Sequence, residues 1–327
     1  MAQTRVGILG LGSYLPEKVL SNLDLEKMVD TSDEWIRTRT GIQERRIAEQ
    51  GTATSDLAAK ASLEAIRSAG LKPTDLDLII LATISPDMIF PSTACIVQNK
   101  IGAKCPSFDI SAACSGFPYA AAIAEGFIQA GSYKYILVIG AEVISGFINW
   151  KDRSTCVLFG DGAGAAVLGP VKDGHGILAT YLGADGSQAK LLHIPAGGSA
   201  MPPSRASVEA GLHYVQMEGS EVFKAAVRTM SDSILEVTKR AGIQVKDIDC
   251  LIPHQANLRI LSAVSDRTEI PIEKIFINLD RYGNMSAAST IVALCEAVKE
   301  GRIKKNAIVV LVAFGSGLTW AACAIRW

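Results

Sequence analysis

The chain has 327 residues, 49% of them apolar and 20% charged, and its 32 basic and 33 acidic side chains leave a formal charge of −1. That composition excludes intrinsic disorder. Without a basic excess it also argues against nucleic acid as the main partner. The length fits two domains or two fused halves, enough for a large core without staples.

In chain order, the first feature is Val6 to Gly12, a glycine-rich run resembling a dinucleotide fingerprint. Its third glycine is missing, and Pro16 closes off the helix that should follow. Residues 1–16 hold no apolar run of signal-peptide length. A helical pattern covers 54–68 and buried-strand patterns cover 78–82 and 107–110, followed by a helix over 115–130 and a strand over 135–140. Gly160 to Ala165 is a second loose phosphate-loop lookalike, but it leads into a strand (164–168) rather than a helix. Pro195 to Ser207 reads as a mobile surface loop. Helices are expected over 219–241, 256–268 and 286–299, and strands over 250–252, 275–279 and 308–313. Ala307 to Ile325 is uncharged and nearly long enough to span a bilayer. Its central Gly315-Ser316-Gly317 favours two buried strands joined by a turn. Seven cysteines, at 95, 105, 114, 156, 250, 295 and 323, form no C-x-x-C pair, which predicts free thiols in a reducing cytoplasm.

The chain repeats itself. Ala69-Gly70-Leu71 to Ile80 resembles Ala241-Gly242-Ile243 to Ile252, each reading as a helix end, a loop and a strand. Gly131 to Ile139 parallels Gly301 to Leu311, and Phe108 to Ser115 falls opposite Leu279 to Ser286. The expected fold is therefore α/β: two similar halves, 1–173 and 174–327, with mostly parallel sheets covered by helices.

In such sheets ligands bind beyond the carboxyl ends of strands. That rule selects Cys114 after strand 107–110, His254 after 250–252, Asn284 after 275–279, and the glycine turn 315–317 after 308–313. A cysteine at a helix N-terminus is a nucleophile with a depressed pKa. A neutral imidazole and a carboxamide can both hold an enolate oxygen. The 315–317 backbone can approach closely and offer an N–H to an oxyanion. The other cysteines read as inert small hydrophobes, and His175, His193 and His213 as surface or structural residues. No metal-ligand spacing is present.

These residues resemble β-ketoacyl-acyl carrier protein synthase III, a thiolase-fold condensing enzyme family. The resemblance spans essentially the whole chain. It is carried by Thr31 to Ile36, Thr38 to Ile42, Ala113-Cys114-Ser115-Gly116-Phe117, Phe159 to Ala165, Pro253-His254-Gln255-Ala256-Asn257 and Gly283-Asn284-Met285-Ser286. It implies a homodimer and a ping-pong reaction without metal or redox cofactor. The resemblance implies that Cys114 takes the acyl group of an acyl-CoA, with acetyl-CoA the expected primer. His254 and Asn284 then stabilise the enolate of decarboxylating malonyl-acyl carrier protein, and the N–H groups of Cys114 and Ser316 cradle the oxyanion. By the same resemblance Trp35 and Arg153 sandwich the CoA adenine, and Arg39 and Thr40 lie near the CoA head group. Phe90 caps the partner subunit's acyl pocket, which suggests a short primer. Lys224, Arg259 and Arg267 form the patch that meets the acidic carrier protein.

Two positions depart from the family pattern: Met285 stands where Thr is common, and Ser316 where Gly is common. Both are expected to alter the pocket or primer, which leaves room for a starter synthase of secondary metabolism. A biosynthetic thiolase would need a second cysteine within 313–320, and a non-catalytic partner subunit would have lost the nucleophile.

Overall fold

A computed structural model describes residues 4–327. The first sheet contains β1 (Val6–Tyr14), β2 (Leu78–Ala82), β3 (Ser107–Ile110), β4 (Ile136–Glu142) and β5 (Gly162–Pro170), in the order β1-β5-β4-β2-β3. The second contains β6 (Gly176–Ala184), β7 (Cys250–Pro253), β8 (Ile308–Gly315) and β9 (Thr319–Arg326), in the order β7-β8-β9-β6. Pairing follows one plan in both. β1–β5 and β5–β4 are antiparallel and β4–β2 is parallel. Likewise β6–β9 and β9–β8 are antiparallel and β8–β7 is parallel. The sheets are thus mixed rather than mostly parallel. Strands such as β8 and β9, joined by a tight turn at 316–318, can pair only antiparallel.

β3 adds a further parallel strand beside β2. Its counterpart in the second half is a single bridge, Leu251 to Ile275, so the strand expected over 275–279 does not form. The Gln255 carboxamide takes the groups a ladder would use: its Nε2 donates to Phe276 O at 3.0 Å, and its Oε1 accepts Asn278 N–H at 3.0 Å. A helical turn, Leu279–Tyr282, follows.

The main helices are α1 (Asp33–Thr40), α2 (Thr54–Ser68), α3 (Thr93–Ile101), α4 (Gly116–Gln129), α5 (Gly219–Ala241), α6 (Leu258–Thr268) and α7 (Ala287–Lys299). Strand alternation sorts them into layers. Leu78 and Ile80 of β2, with Val309 and Leu311 of β8, face a shared central core built on α4 and α7. Ile79 and Leu81 face α2 and α3, while Val310 and Val312 face α5 and α6. Burying each such side chain contributes about 1.5–3 kcal/mol.

The repeat persists in the hydrogen bonds. Asp77 Oδ2 accepts the Tyr135 N–H at 2.9 Å, and Asp249 Oδ2 accepts the Ile308 N–H at 2.8 Å. Each carboxylate pins the start of the neighbouring parallel strand. The glycine run near the N-terminus is a packing device: a Cβ on Gly12 would sit 2.3 Å from Ala61 O of α2. Pro195 to Ser204 carries no regular structure, and a short helix, Arg205–Glu209, follows. Among the described residues no helix is long and apolar enough to cross a membrane.

Candidate active site

Beyond β3 the chain passes through a 3₁₀ turn, Ala113–Ser115, into α4. Ala113 has φ +47°, a conformation that a residue with a Cβ resists. The sharp turn sets Cys114 at the junction of strand and helix. His254 follows β7 and extends its ladder, donating its backbone N–H to Val312 O at 2.8 Å. Asn284 follows Gly283 and is held three times: its N–H donates to Leu158 O at 2.8 Å, its backbone O accepts the Gly160 N–H at 3.0 Å, and its Oδ1 accepts the Ser286 N–H at 2.8 Å. With the oxygen engaged, Nδ2 is left to donate to a ligand.

The β8–β9 turn closes on the same place. A Cβ on Gly315 would lie 2.6 Å from Cys114 N, so only glycine lets this backbone approach. Ser316 anchors the turn by donating its hydroxyl to Leu192 O. Thr319 Oγ1 adds a bond to Ala112 O at 2.9 Å.

Cys114, His254 and Asn284 line one cavity of about 100 Å³, with Phe159, Phe223 and Phe314 among its walls. A second, of about 370 Å³, is lined by Cys114, Phe159, His193, Val215, Ser286 and Ser316, among others. Cys114 and Phe159 belong to both. The thiol therefore sits where two chambers meet, which suits a group that receives an acyl chain from one side and delivers it to a partner from another.

Burial pushes the Cys114 thiol up to about 12, with a Ser286 hydrogen bond opposing and the Glu142 charge adding to the rise. This reverses the depression expected from the helix N-terminus. A helix end contributes about 0.3–2 kcal/mol, and a dry site penalises an anion by more. Burial also pushes His254 down to about 3. The imidazole is neutral at physiological pH, as expected of a hydrogen-bond donor to an enolate.

The family model described as 3-oxoacyl-[acyl-carrier-protein (ACP)] synthase III matches residues 108–186, and the model of its C-terminal part matches 238–327. A β-ketoacyl-[acyl-carrier-protein] synthase III of Caldanaerobacter subterraneus subsp. tengcongensis is 61% identical, over 98% of this chain and 97% of that protein. The chain belongs to the β-ketoacyl-[acyl-carrier-protein] synthase III family. The synthase III of Clostridioides difficile is 58% identical over 99% of each chain. The crystal structure of 3-oxoacyl-[acyl-carrier-protein] synthase III from Aquifex aeolicus VF5 superposes with a TM-score of 0.91, at 50% identity over 98% of this chain and 100% of that one. The α/β architecture expected from the sequence is the thiolase fold of these synthase III structures, and the chain has the acyltransferase chemistry of its family.

Within this synthase fold the remaining selected residues separate. The Arg153 guanidinium lies 5.2 Å from the Trp35 ring centroid and that of Arg39 lies 6.0 Å from it, so a base entering between Trp35 and Arg153 must part them. Thr40 is buried, its Oγ1 donating to Ile36 O at 2.7 Å and accepting the Ile42 N–H at 3.0 Å. Its hydroxyl is committed to the end of α1 rather than to a ligand. Phe90 is 82% exposed beside Ile89 at 80%, and lines neither cavity of its own chain.

Of the three basic residues, Lys224 is paired with Glu221 at 2.8 Å and Arg267 with Asp232 at 3.1 Å. Arg259 instead stacks 5.7 Å above the ring of Phe223, a wall of the first cavity. Met285 faces away from the site. It is buried against Tyr282, Ala288 and Val292, so that departure is a core substitution. Cys95 is exposed, unlike the buried thiols expected.

Sequence reasoning missed three residues here. His193 lines the second cavity although its loop-like surroundings pointed to the surface. Glu142 is fully buried at the end of β4, and a lone glutamate at the close of an apolar strand was its one sequence signal. Ser286 sits in the quoted Gly283 to Ser286 motif but draws attention only once its contact with Cys114 is seen.

Proposed function

We propose that Cys114 accepts an acyl group, in the first instance acetyl, from an acyl-CoA, and that His254 and Asn284 then promote decarboxylation of malonyl-acyl carrier protein. The enolate carbon attacks the acyl-cysteine, and carbon dioxide release makes the condensation favourable. The product is a β-ketoacyl-carrier protein, the first condensation product of fatty-acid synthesis. The observation that carries this reading is the meeting of thiol, imidazole and carboxamide on one cavity wall, with the thiol shared by a second chamber. The backbone N–H groups of Cys114 and Ser316 bind the oxyanion, an assignment supported by the closeness of Gly315 to Cys114 N. No metal or redox cofactor takes part.

Trp35, Arg39 and Arg153 receive the CoA nucleotide. Arg259, with Lys224 and Arg267 at the periphery, meets the acidic carrier protein. The protruding Ile89 and Phe90 support a homodimer in which Phe90 caps the partner's acyl chamber. The enzyme works in the cytoplasm.

Incubation with labelled acetyl-CoA should acylate the Cys114 peptide, and Cys114→Ala should abolish the label. A protein that takes no label from any acyl-CoA removes the proposal. Labelling by long or aromatic acyl groups alone makes it a specialised starter synthase.

A further inference from the structure

Glu142 is a fully buried carboxylate that the condensation chemistry above does not use. It is densely solvated by protein. Its Oε2 accepts from Thr83 Oγ1 at 3.0 Å, from Ser85 N at 3.1 Å and from Ser85 Oγ at 2.5 Å. Ile84 N donates to both oxygens, at 3.2 and 3.1 Å, and Ala287 N donates to Oε1 at 3.4 Å. The Ser286 side chain lies close enough to lower the proton affinity of this carboxylate, whose bond from Ala287 N–H holds it beside residue 286. Ser286 in turn lies against the nucleophile, accepting from Cys114 Sγ at 3.6 Å. Ser286 holds φ +46°, strain that the surroundings maintain, and its hydroxyl faces the sulfur.

We propose that Ser286 and Glu142 form the proton relay that activates Cys114, with Ser286 touching the thiol and Glu142 acting through it as a positioning and proton-holding residue. The relay rests on the acyl-transfer reading above. As Sγ attacks the acyl carbonyl, the thiol proton moves to Ser286 Oγ, and the Ser286 hydroxyl proton moves to Glu142. The new S–C bond forms and the carbonyl electron pair moves onto oxygen. When the adduct collapses, the bond to the CoA sulfur breaks and the proton held on Glu142 returns through Ser286 to the departing thiolate. One thiol is exchanged for another, and no co-reactant is needed.

His254, which lines the first cavity with Cys114, is the other candidate base, but burial keeps its proton affinity low. Burial raises that of Glu142 above the usual carboxylate range, which favours it as acceptor. The titratable groups around the thiol are Glu142 on β4, His254 after β7, and His193 on the second cavity wall. Both histidines stay unchanged in the variants below, so their contributions cancel.

The test is the rate of iodoacetamide alkylation of full-length enzyme from pH 6 to 10, followed on the Cys114 peptide because Cys95, unlike Cys114, is exposed and would be alkylated independently. In Ser286→Ala and Glu142→Gln the rate at pH 7 should fall about a hundredfold and approach wild type at high pH, where hydroxide removes the proton. Ser286→Ala keeps the backbone bond to Asn284, and its positive φ is one that Ala113 already adopts, so it decides the matter even if Glu142→Gln fails to fold. A Ser286→Ala profile superimposable on wild type overturns the relay. So does faster alkylation of Glu142→Gln at neutral pH, the result expected if the carboxylate merely repels a thiolate. Alkylation needs no acyl donor: a wild type with the relay profile that accepts no acyl group would sink the proposed function and leave the relay standing.

Discussion

Asn284 Oδ1 accepts the backbone N–H of Ser286 at 2.8 Å, so the residue that borders the nucleophile also fixes which end of the carboxamide faces the cavity. Asn284→Asp keeps that bond but replaces the remaining donor with an anion. Malonyl-acyl carrier protein decarboxylation should fall at least about a hundredfold, the usual cost of losing an oxyanion donor, while acylation of Cys114 persists. Equal loss of both steps in a stopped-flow comparison would contradict the assigned division of labour.

His254 is buried, and that burial alone depresses it to about 3. Its decarboxylation role should therefore show no acid limb near pH 6.5. The same shift affects stability. An unfolded histidine takes up its proton near pH 6.5, whereas the folded one does not, so the contribution is complete above that pH and lost as pH falls toward 3. His254→Asn should lose less stability than wild type between pH 7 and 5. Parallel urea midpoints for the two proteins would refute this.

Met285 is fully buried among Tyr282, Ala288 and Val292. Met285→Thr should cost about 2–4 kcal/mol through the cavity and the unpaired hydroxyl, and leave the order of preference among acyl primers unchanged. A changed primer preference at wild-type stability would show that the side chain reaches the pocket after all.

Glu125, on α4, has its carboxyl raised to about 7, first by burial, with a Gln129 hydrogen bond opposing. Here the unfolded chain holds fewer protons between about pH 4.5 and 7, so stability declines as pH rises through 7. Glu125→Gln should raise Tm at pH 8 and have little effect at pH 4.5. The gain should be modest, because the group is only partly buried. A larger gain at low pH than at high pH would reverse the assignment.

Arg259 stacks on Phe223, a wall of the first cavity, whereas Lys224 and Arg267 already face carboxylates. Arg259→Glu should raise KM for malonyl-acyl carrier protein about tenfold or more and spare acyl transfer from CoA. Lys224→Glu should have a smaller effect, since exposed paired charges contribute little. Equal KM changes for both substrates would argue against a carrier-specific surface.

Much of the fold was legible because its signals are local. The 54–68 and 219–241 helices and the 78–82 strand form with the bounds their periodicity predicts. The Gly70 and Gly242 helix ends carry the repeat in their positive φ angles. The failures have a common cause. The strand expected at 275–279 lost its ladder groups to Gln255, and the sheets turned out mixed because pairing partners are set by connections across the chain. Neither fact is written in the residues concerned.

The amino-acid order alone determined the doubled α/β plan and named Cys114, His254 and Asn284, because strand-end position and residue chemistry are readable along a chain. Tertiary structure alone decided that Cys114 sits between two chambers, that Met285 belongs to the core, and that Glu142 lies behind Ser286. Proton affinity followed it: the helix end that should have lowered the thiol was outweighed by dehydration, a property of everything packed around a site and of no single stretch of sequence.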